Sequence, residues 1–364
     1  MRRTLVILGL LVALGAVGAL LFAWSGLYNV AASVPHWPPT RWLIEFGLEN
    51  SVETHARGIE VPPLDDPALV HAGLGHYEGA CQPCHGAPGQ PPNPLVRRML
   101  PEPPYLPGQE LRWSPAQLFW IVRHGLKYTG MPAWVAEHRD DEIWAMVAAL
   151  LRLPELDDAG YRRLLASGAR MPAGESARLL AAVGPAGEAL VACARCHGLT
   201  GAGGGAGAFP ALAGQSREYL MASLKAYALG TRASGFMQPV AGALDDEQMG
   251  RLADHYAAMP TPPVRPAPNA ATERGRAIAE RGLPERGIPA CVTCHGGNAL
   301  ARNRLFPRLD GQHAFYLAQQ LRLFAVGTRG GTAFAELMQA TTHGLDEAEI
   351  RAVAAYYAAR GRPR

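Results

Sequence analysis

The most uneven distribution of polar and apolar positions lies at the start of the chain. Arg2 and Arg3 precede a run with no charged side chain from Thr4 to Thr40, and its apolar part, Leu5 to Trp24, is 20 residues long. At 1.5 Å per residue that is about 30 Å of helix, the thickness of a bilayer core. Residues 1–33 are therefore expected to form an uncleaved signal-anchor helix, with residues 5–24 in the bilayer and a juxtamembrane segment over 34–65. A cleaved signal peptide is the competing reading, because Val30-Ala31-Ala32-Ser33 offers small residues for cleavage, although a signal core usually has only about 7–15 residues. The positive-inside bias keeps the arginine pair in the cytoplasm and places the residues after Trp24 outside. Either reading exports the rest of the chain.

Further along, apolar positions recur at helical spacing over 67–80, 176–192 and 271–283, and again over 140–152, 245–259 and 346–360. The last three open on acidic turns, Asp140-Asp141-Glu142, Asp245-Asp246-Glu247 and Asp346-Glu347, which suit the positive end of a helix. The fold class read from this is all-α. Uneven composition from Leu153 to Glu175 and the cluster Pro260-Thr261-Pro262-Pro263-Val264-Arg265-Pro266 mark linkers. The expected domains are 66–155, 176–261 and 268–364. At 48% hydrophobic and 18% charged the composition is that of an ordinary globular chain, and 41 Gly with 31 Pro fit small, loop-rich domains. The net charge of +3 is scattered, without the basic cluster and interleaved aromatics of a nucleic-acid binder.

All six cysteines fall in one repeated string, Cys-x-x-Cys-His: Cys81-Gln82-Pro83-Cys84-His85, Cys193-Ala194-Arg195-Cys196-His197 and Cys291-Val292-Thr293-Cys294-His295. Random placement would give on the order of 0.003 such strings in the chain. The string is the attachment signature of c-type haem, in which two thiols anchor the porphyrin and the histidine supplies an imidazole to the iron. Structural zinc normally draws four ligands from two neighbouring pairs, whereas these pairs lie about 100 residues apart. A thioredoxin-like redox pair needs a preceding strand that is missing here. Three covalently bound haem c groups are the expected cofactors.

Each string opens a segment that repeats on more than its cysteines. Phe209-Pro210-Ala211-Leu212-Ala213-Gly214-Gln215, Tyr219-Leu220 and Gly230-Thr231-Arg232 are matched by Phe306-Pro307-Arg308-Leu309-Asp310-Gly311-Gln312, Tyr316-Leu317 and Gly327-Thr328-Arg329. The second and third segments are tandem duplicates. The first is more distant, with Pro104-Tyr105-Leu106 in place of Pro210-Ala211-Leu212.

A haem that only carries electrons needs both axial positions filled, and methionine sulfur favours the ferrous state. Met131 follows His85 by 46 residues, Met237 follows His197 by 40, and Met338 follows His295 by 43. Met131 stands in Gly130-Met131-Pro132-Ala133-Trp134, where glycine permits close approach and proline stiffens the segment. The expected iron ligands are His85 with Met131, His197 with Met237 and His295 with Met338, the last in a longer loop. His124, His255 and His343 are rivals for the sixth position. Met146, Met221, Met249 and Met259 read as core filler, and His36, His55, His71, His76, His138 and His313 as surface or structural. The glycine-rich stretch from Gly201 to Gly207 lacks the context of a phosphate loop and reads as a flexible loop.

With these motifs the chain resembles a bacterial membrane-anchored multihaem cytochrome c. Residues 176–362 resemble dihaem cytochrome c4, through the doubled Phe-Pro-x-Leu-x-Gly-Gln, Gly-Thr-Arg and late methionine. Residues 66–152, with Gly125-Leu126-Lys127-Tyr128-Thr129-Gly130-Met131-Pro132-Ala133-Trp134, resemble a class I monohaem domain. The resemblance implies a transmembrane helix followed by three tandem class I domains, and a proline carbonyl that accepts a hydrogen bond from each haem histidine, at Pro104, Pro210 and Pro307. It also implies a periplasmic location on the bacterial inner membrane. The expected function is a triple-haem carrier in a respiratory chain, not itself an enzyme, taking electrons from a membrane donor to a terminal acceptor. A quinol-oxidising complex, a dehydrogenase or a terminal oxidase are the expected partners, and the chain could be the cytochrome subunit of such a complex. A peroxidase needs a five-coordinate iron, against which a methionine in every repeat speaks. A haem sensor would carry a signalling domain, and none follows the repeats.

Overall fold

A computed structural model describes residues 2–165, 187–261 and 269–360. The expected stretches 166–186, which include most of the second leading helix, and 262–268, in the second linker, lie outside the described residues. Among the described residues the architecture is helical. Its only β-pairings are three isolated bridges, Ala87 with Gln90, Gly204 with Phe209 and Leu283 with Ile288.

The N-terminal helix α1 spans Arg2–Ser25, and α2 spans Pro38–Ala56. Around the first string come α3 (Pro67–His76), a wide turn Tyr77–Cys81, α4 (Gln82–His85), α5 (Pro115–His124), α6 (Asp140–Arg152) and α7 (Asp158–Leu165). Around the second are α8 (Gly187–His197), α9 (Arg217–Ala228), α10 (Met237–Gly242) and α11 (Asp246–Ala258). Around the third are α12 (Ala270–Arg281), α13 (Val292–His295), α14 (Gly297–Arg302), α15 (Ala314–Ala325), α16 (Ala335–Thr342) and α17 (Glu347–Ala359). The periodicity locates α3, α6, α11, α12 and α17 to within a few residues.

Each string has its own apolar core. Leu74, Tyr77, Ile143, Met146 and Val147 fill the first, Leu190, Leu220, Leu252 and Tyr256 the second, and Ile278, Leu317, Ile350, Val353 and Tyr357 the third. Burial of each large side chain stabilises by about 1.5–3 kcal/mol. The first and third cores are closed by the same device, a leading helix crossing a closing helix at a glycine. A Cβ on Gly73 would stand 2.0 Å from Ala145 O on α6, and one on Gly275 would stand 2.0 Å from Ala352 O on α17. Met146 and Met249 are buried, and Met221 and Met259 pack against the second core, as filler should.

Four features depart from the sequence reading or add to it. The juxtamembrane segment contains α2, which packs on α5; its outward Trp42, Leu43 and Phe46 obscure the amphipathic pattern. Trp37, just before α2, lies 5.9 Å from Phe22 and 5.2 Å from Tyr28, so α2 starts beside the end of α1. Within the stretch read as a linker, Leu153 to Glu175, residues Asp158–Leu165 form α7, whose Tyr161 is buried in the first core and donates to Glu78 Oε2 at 2.8 Å. Gly201 to Gly207 is an ordered turn rather than a loose loop. The Gly204 and Phe209 bridge closes it, and a Cβ on Gly203 (φ +74°) would fall 2.2 Å from Phe209 O.

The duplicated segments meet across a reciprocal seam. Gln215 Nε2 donates to Arg308 O (2.7 Å) while Arg308 N donates to Gln215 Oε1 (2.9 Å). Gln312 Nε2 donates to Ala211 O (3.0 Å) while Ala211 N donates to Gln312 Oε1 (2.8 Å). Arg232 reaches Tyr316 OH and Arg329 reaches Tyr219 OH, both at 3.1 Å. The repeated Gly-Gln and Gly-Thr-Arg motifs thus serve a quasi-twofold interface. His313 adds a bond from its Nε2 to Ala202 O at 2.9 Å.

Candidate haem sites

In all three strings the histidine closes a helix, α4, α8 or α13, and its ring points to a proline carbonyl. His85 Nδ1 lies 2.9 Å from Pro104 O, His197 Nδ1 3.0 Å from Pro210 O, and His295 Nδ1 2.9 Å from Pro307 O. A carbonyl only accepts, so each Nδ1 carries the proton and each Nε2 lone pair is left for a metal. Burial lowers the pKa of all three imidazoles, outweighing the carbonyl bond that raises it, and keeps them neutral. His295 Nε2 is buried without a hydrogen-bond partner. An orphaned acceptor of this kind fits an iron ligand.

The cysteines fit thioether attachment better than zinc. Burial pushes the Cys81 thiol up to about 12 and those of Cys193 and Cys291 up to about 11, the opposite of what a zinc thiolate requires. Among the described residues no group of three or more His, Cys, Asp or Glu side chains could hold a metal ion.

A continuous cavity of about 710 Å³ runs from the second string to the third. Cys193, Cys196, His197 and Met237 line one end, and Cys291, Cys294, His295 and Met338 the other. Between them, Arg232 is 3% exposed and bonds to Ser223 and Tyr316, and the Nε of Arg329 is buried without a partner. Among the described residues neither guanidinium forms an ion pair with a carboxylate. A buried and a half-buried cation with no carboxylate beside them are costly. Haem propionates would supply the missing carboxylates, so the donor set fits the group. Burial pushes the Tyr219 phenol up, but Arg232 and Arg329 outweigh it and bring it down to about 8.

The structure brings Met237 and Met338 into the cavity with their histidines. Met131 packs against the first core together with Cys81, its N–H donating to Thr129 Oγ1 at 3.1 Å. Of the rivals, His124 is exposed at the end of α5, its ring 5.2 Å from Trp120. His343 is exposed with Nδ1 3.2 Å from Ala325 O, and neither it nor His255 lines the cavity. The sequence offered no periodic signal for Met99, whose Cε lies 2.2 Å from where a Cβ on Gly130 would stand, beside Met131.

The first segment also walls the second site. Leu69, Ala72, Gly75 and His76 of α3 line the same cavity, and His76 is sandwiched between Trp134 (4.9 Å) and Phe236 (4.6 Å). Burial, with Arg195 nearby, lowers the His76 pKa to about 4. The acidic turn Asp140-Asp141-Glu142 serves more than the helix dipole. Asp245 and Asp346 cap α11 and α17 as expected, yet α6 has no side-chain cap and its Glu142 is only 2% exposed, turned toward the second segment. Burial pushes the Glu142 carboxyl up to about 7 against the downward pull of Arg139, Ser234 and Gly235.

Comparison with known proteins agrees with this chemistry. Residues 68–148 match the family described as cytochrome C oxidase, cbb3-type, subunit III, and residues 185–257 match cytochrome c. The chain is 40% identical over 177 residues to a thiosulfate dehydrogenase electron acceptor of Stutzerimonas stutzeri, covering 48% of this chain and 82% of that protein. It is 36% identical over 178 residues to cytochrome c4 of Thiocapsa roseopersicina, covering 47% of this chain and 89% of that protein. A solved cytochrome c4 structure from Acidithiobacillus ferrooxidans aligns at 39% identity and a TM-score of 0.41, covering 46% of this chain and 98% of that one. The chain belongs to the cytochrome c family of electron-transfer proteins, with covalently bound haem c, and is related to cytochrome c4 and to the electron acceptors of thiosulfate dehydrogenase.

Proposed function

We propose that the chain is a three-haem electron carrier of the periplasmic face of the bacterial inner membrane. In this reading α1 is its anchor and 66–155 with α7 packed against it, 176–261 and 268–364 are its three domains. The observation that carries it is the threefold pairing of a haem-string histidine with a proline carbonyl, which leaves a neutral imidazole Nε2 free in every repeat. His85, His197 and His295 are the fifth ligands and Met131, Met237 and Met338 the sixth. Each haem would supply a one-electron couple; Cys81, Cys84, Cys193, Cys196, Cys291 and Cys294 would hold the three, and Arg232 and Arg329 would offset carboxylates in the cavity between the second and third strings.

Six-coordination removes any site for peroxide, which makes the chain a carrier rather than a catalyst. The named relative suggests the donor class: a dehydrogenase that oxidises a small sulfur compound and hands electrons over singly. The first segment's match to an oxidase subunit suggests an acceptor of the terminal oxidase kind. The test is a redox titration of the purified protein with near-infrared monitoring of the methionine-to-iron charge-transfer bands. Three bands, and no carbon monoxide uptake by the ferrous protein, are expected. Stoichiometric carbon monoxide binding at one haem without denaturation would overturn the carrier reading.

A further inference from the structure

The loop that delivers Met237 to the second site is held almost wholly by residues of the first segment. Arg139 Nη1 donates to the carbonyl of Ala233. Ser234 Oγ donates to Glu142 Oε1 at 2.6 Å, and Gly235 N donates to Glu142 Oε2 at 2.5 Å. The same Ser234 Oγ accepts the N–H of Met237 at 3.1 Å. A Cβ on Gly235 would stand 2.3 Å from the indole of Trp134, and Phe236 stacks on His76. Thus four consecutive loop residues, 233 to 236, are each gripped by the first segment, and the fifth is the methionine.

Glu142 is the centre of this grip. Its carboxylate also pairs with Arg139 Nη2 at 2.9 Å and accepts from Trp134 Nε1 at 3.4 Å. A buried carboxylate is retained only where its donors are fixed. Here the donors include the backbone of the ligand loop itself, so displacement of the loop would leave a buried charge unsatisfied. The duplicate segment lacks this arrangement. Its methionine loop is longer, Met338 N bonds locally to Phe334 O at 3.1 Å, and Phe334 packs on Phe306 of its own segment at 4.9 Å. The two copies share a motif and differ in what holds it.

We propose that Glu142 is a positioning residue for the sixth ligand of the second haem, so that docking of the first segment sets the strength of the Met237 to iron bond. This rests on the assignment of Met237 as that ligand. A loosened methionine disfavours the ferrous state, and loss of an outer partner of a ligand typically changes metal binding by 10-fold or more.

The full-length protein in detergent is titrated electrochemically with near-infrared detection, alongside Glu142→Ala, Glu142→Gln, Ser234→Ala and Met237→Ala. Glu142→Ala and Ser234→Ala should each weaken one charge-transfer band and lower one midpoint by about tenfold in the equilibrium constant, about 59 mV for one electron. The band affected should be the one that Met237→Ala abolishes. Glu142→Gln, which keeps one acceptor oxygen for the Gly235 N–H and turns an amide toward the Ser234 hydroxyl, should lose less of that band than Glu142→Ala. A folded Glu142→Ala or Ser234→Ala protein of lowered thermal stability but unchanged bands and midpoints overturns the proposal, because Glu142 then only docks the segments. If Met237→Ala leaves every band intact, the ligand assignment falls and the proposal with it.

Discussion

Gly75 on α3 lies against Cys196 of the second haem string: a Cβ built on Gly75 would stand 3.5 Å from Cys196 Sγ and 2.5 Å from Phe209 Cζ. The leading helix of the first segment therefore rests on the second Cys-x-x-Cys-His string and on the ring of Phe209. Gly75→Val should force the helix away and destabilise the joint by about 1–3 kcal/mol, the usual effect of overpacking. Thermal unfolding should begin at lower temperature. Flash reduction should show slower electron equilibration within the protein, and unchanged kinetics would contradict a path through this contact.

Loss of one attachment string should remove one haem without loss of the others. In Cys291→Ala/Cys294→Ala the third core keeps Ile278, Leu317, Ile350 and Val353 and loses only the packing of Cys291 at its edge. Pyridine haemochrome analysis should give two haems per chain instead of the three expected from the three strings. Retention of three would mean that the third string is not an attachment site.

Arg232 is a buried cation beside both strings of the duplicated pair. A fixed positive charge disfavours the more positive ferric state, so its removal should lower the potential. Arg232→Leu is expected to shift at least one midpoint down by about 60 mV, a tenfold change in a one-electron equilibrium. Potentiometric titration checks it, and an upward shift would place the guanidinium away from the haem carboxylates.

His76 makes the joint between the first and second segments sensitive to acid. Its pKa falls from about 6.5 free to about 4 in the folded protein. The stabilisation is complete above the free value and is lost as pH falls from 6.5 to 4, up to about 3 kcal/mol. Glu142, raised from about 4.5 to about 7, acts in the opposite sense, its stabilisation complete below 4.5 and lost as pH rises to 7. The comparison of wild type with His76→Phe isolates the first effect. With the Glu142 effect left unopposed, the variant's melting temperature should fall relative to wild type as pH rises from 4 to 6.5, and a constant difference between the two would remove His76 from the joint.

Much of the site was legible in the chain because the chemistry is local. Two thiols and an imidazole within five residues name the cofactor, and their spacing on a helix end is set by the backbone alone. Pro104, Pro210 and Pro307 follow each histidine by 12 to 19 residues, within one loop, and the structure places each carbonyl at hydrogen-bond distance. The closing helices were visible because 3.6-residue periodicity and acidic N-termini are properties of single segments.

Contacts between segments were not legible. Glu142 read as one more acid at a helix start, since nothing in its neighbours reveals that Ser234, 92 residues on, completes its shell. Arg232 and Arg329 were visible as a repeat, but not that Arg232 is buried and Arg329 half-buried, because burial depends on the duplicate folded against them. Helix α2 escaped notice because Trp42, Leu43 and Phe46 face outward and blur its polar face. Short-range spacing determines which atoms can ligate a haem, whereas only packing over 90 or more residues decides which carboxylate, cation or ring stands beside them.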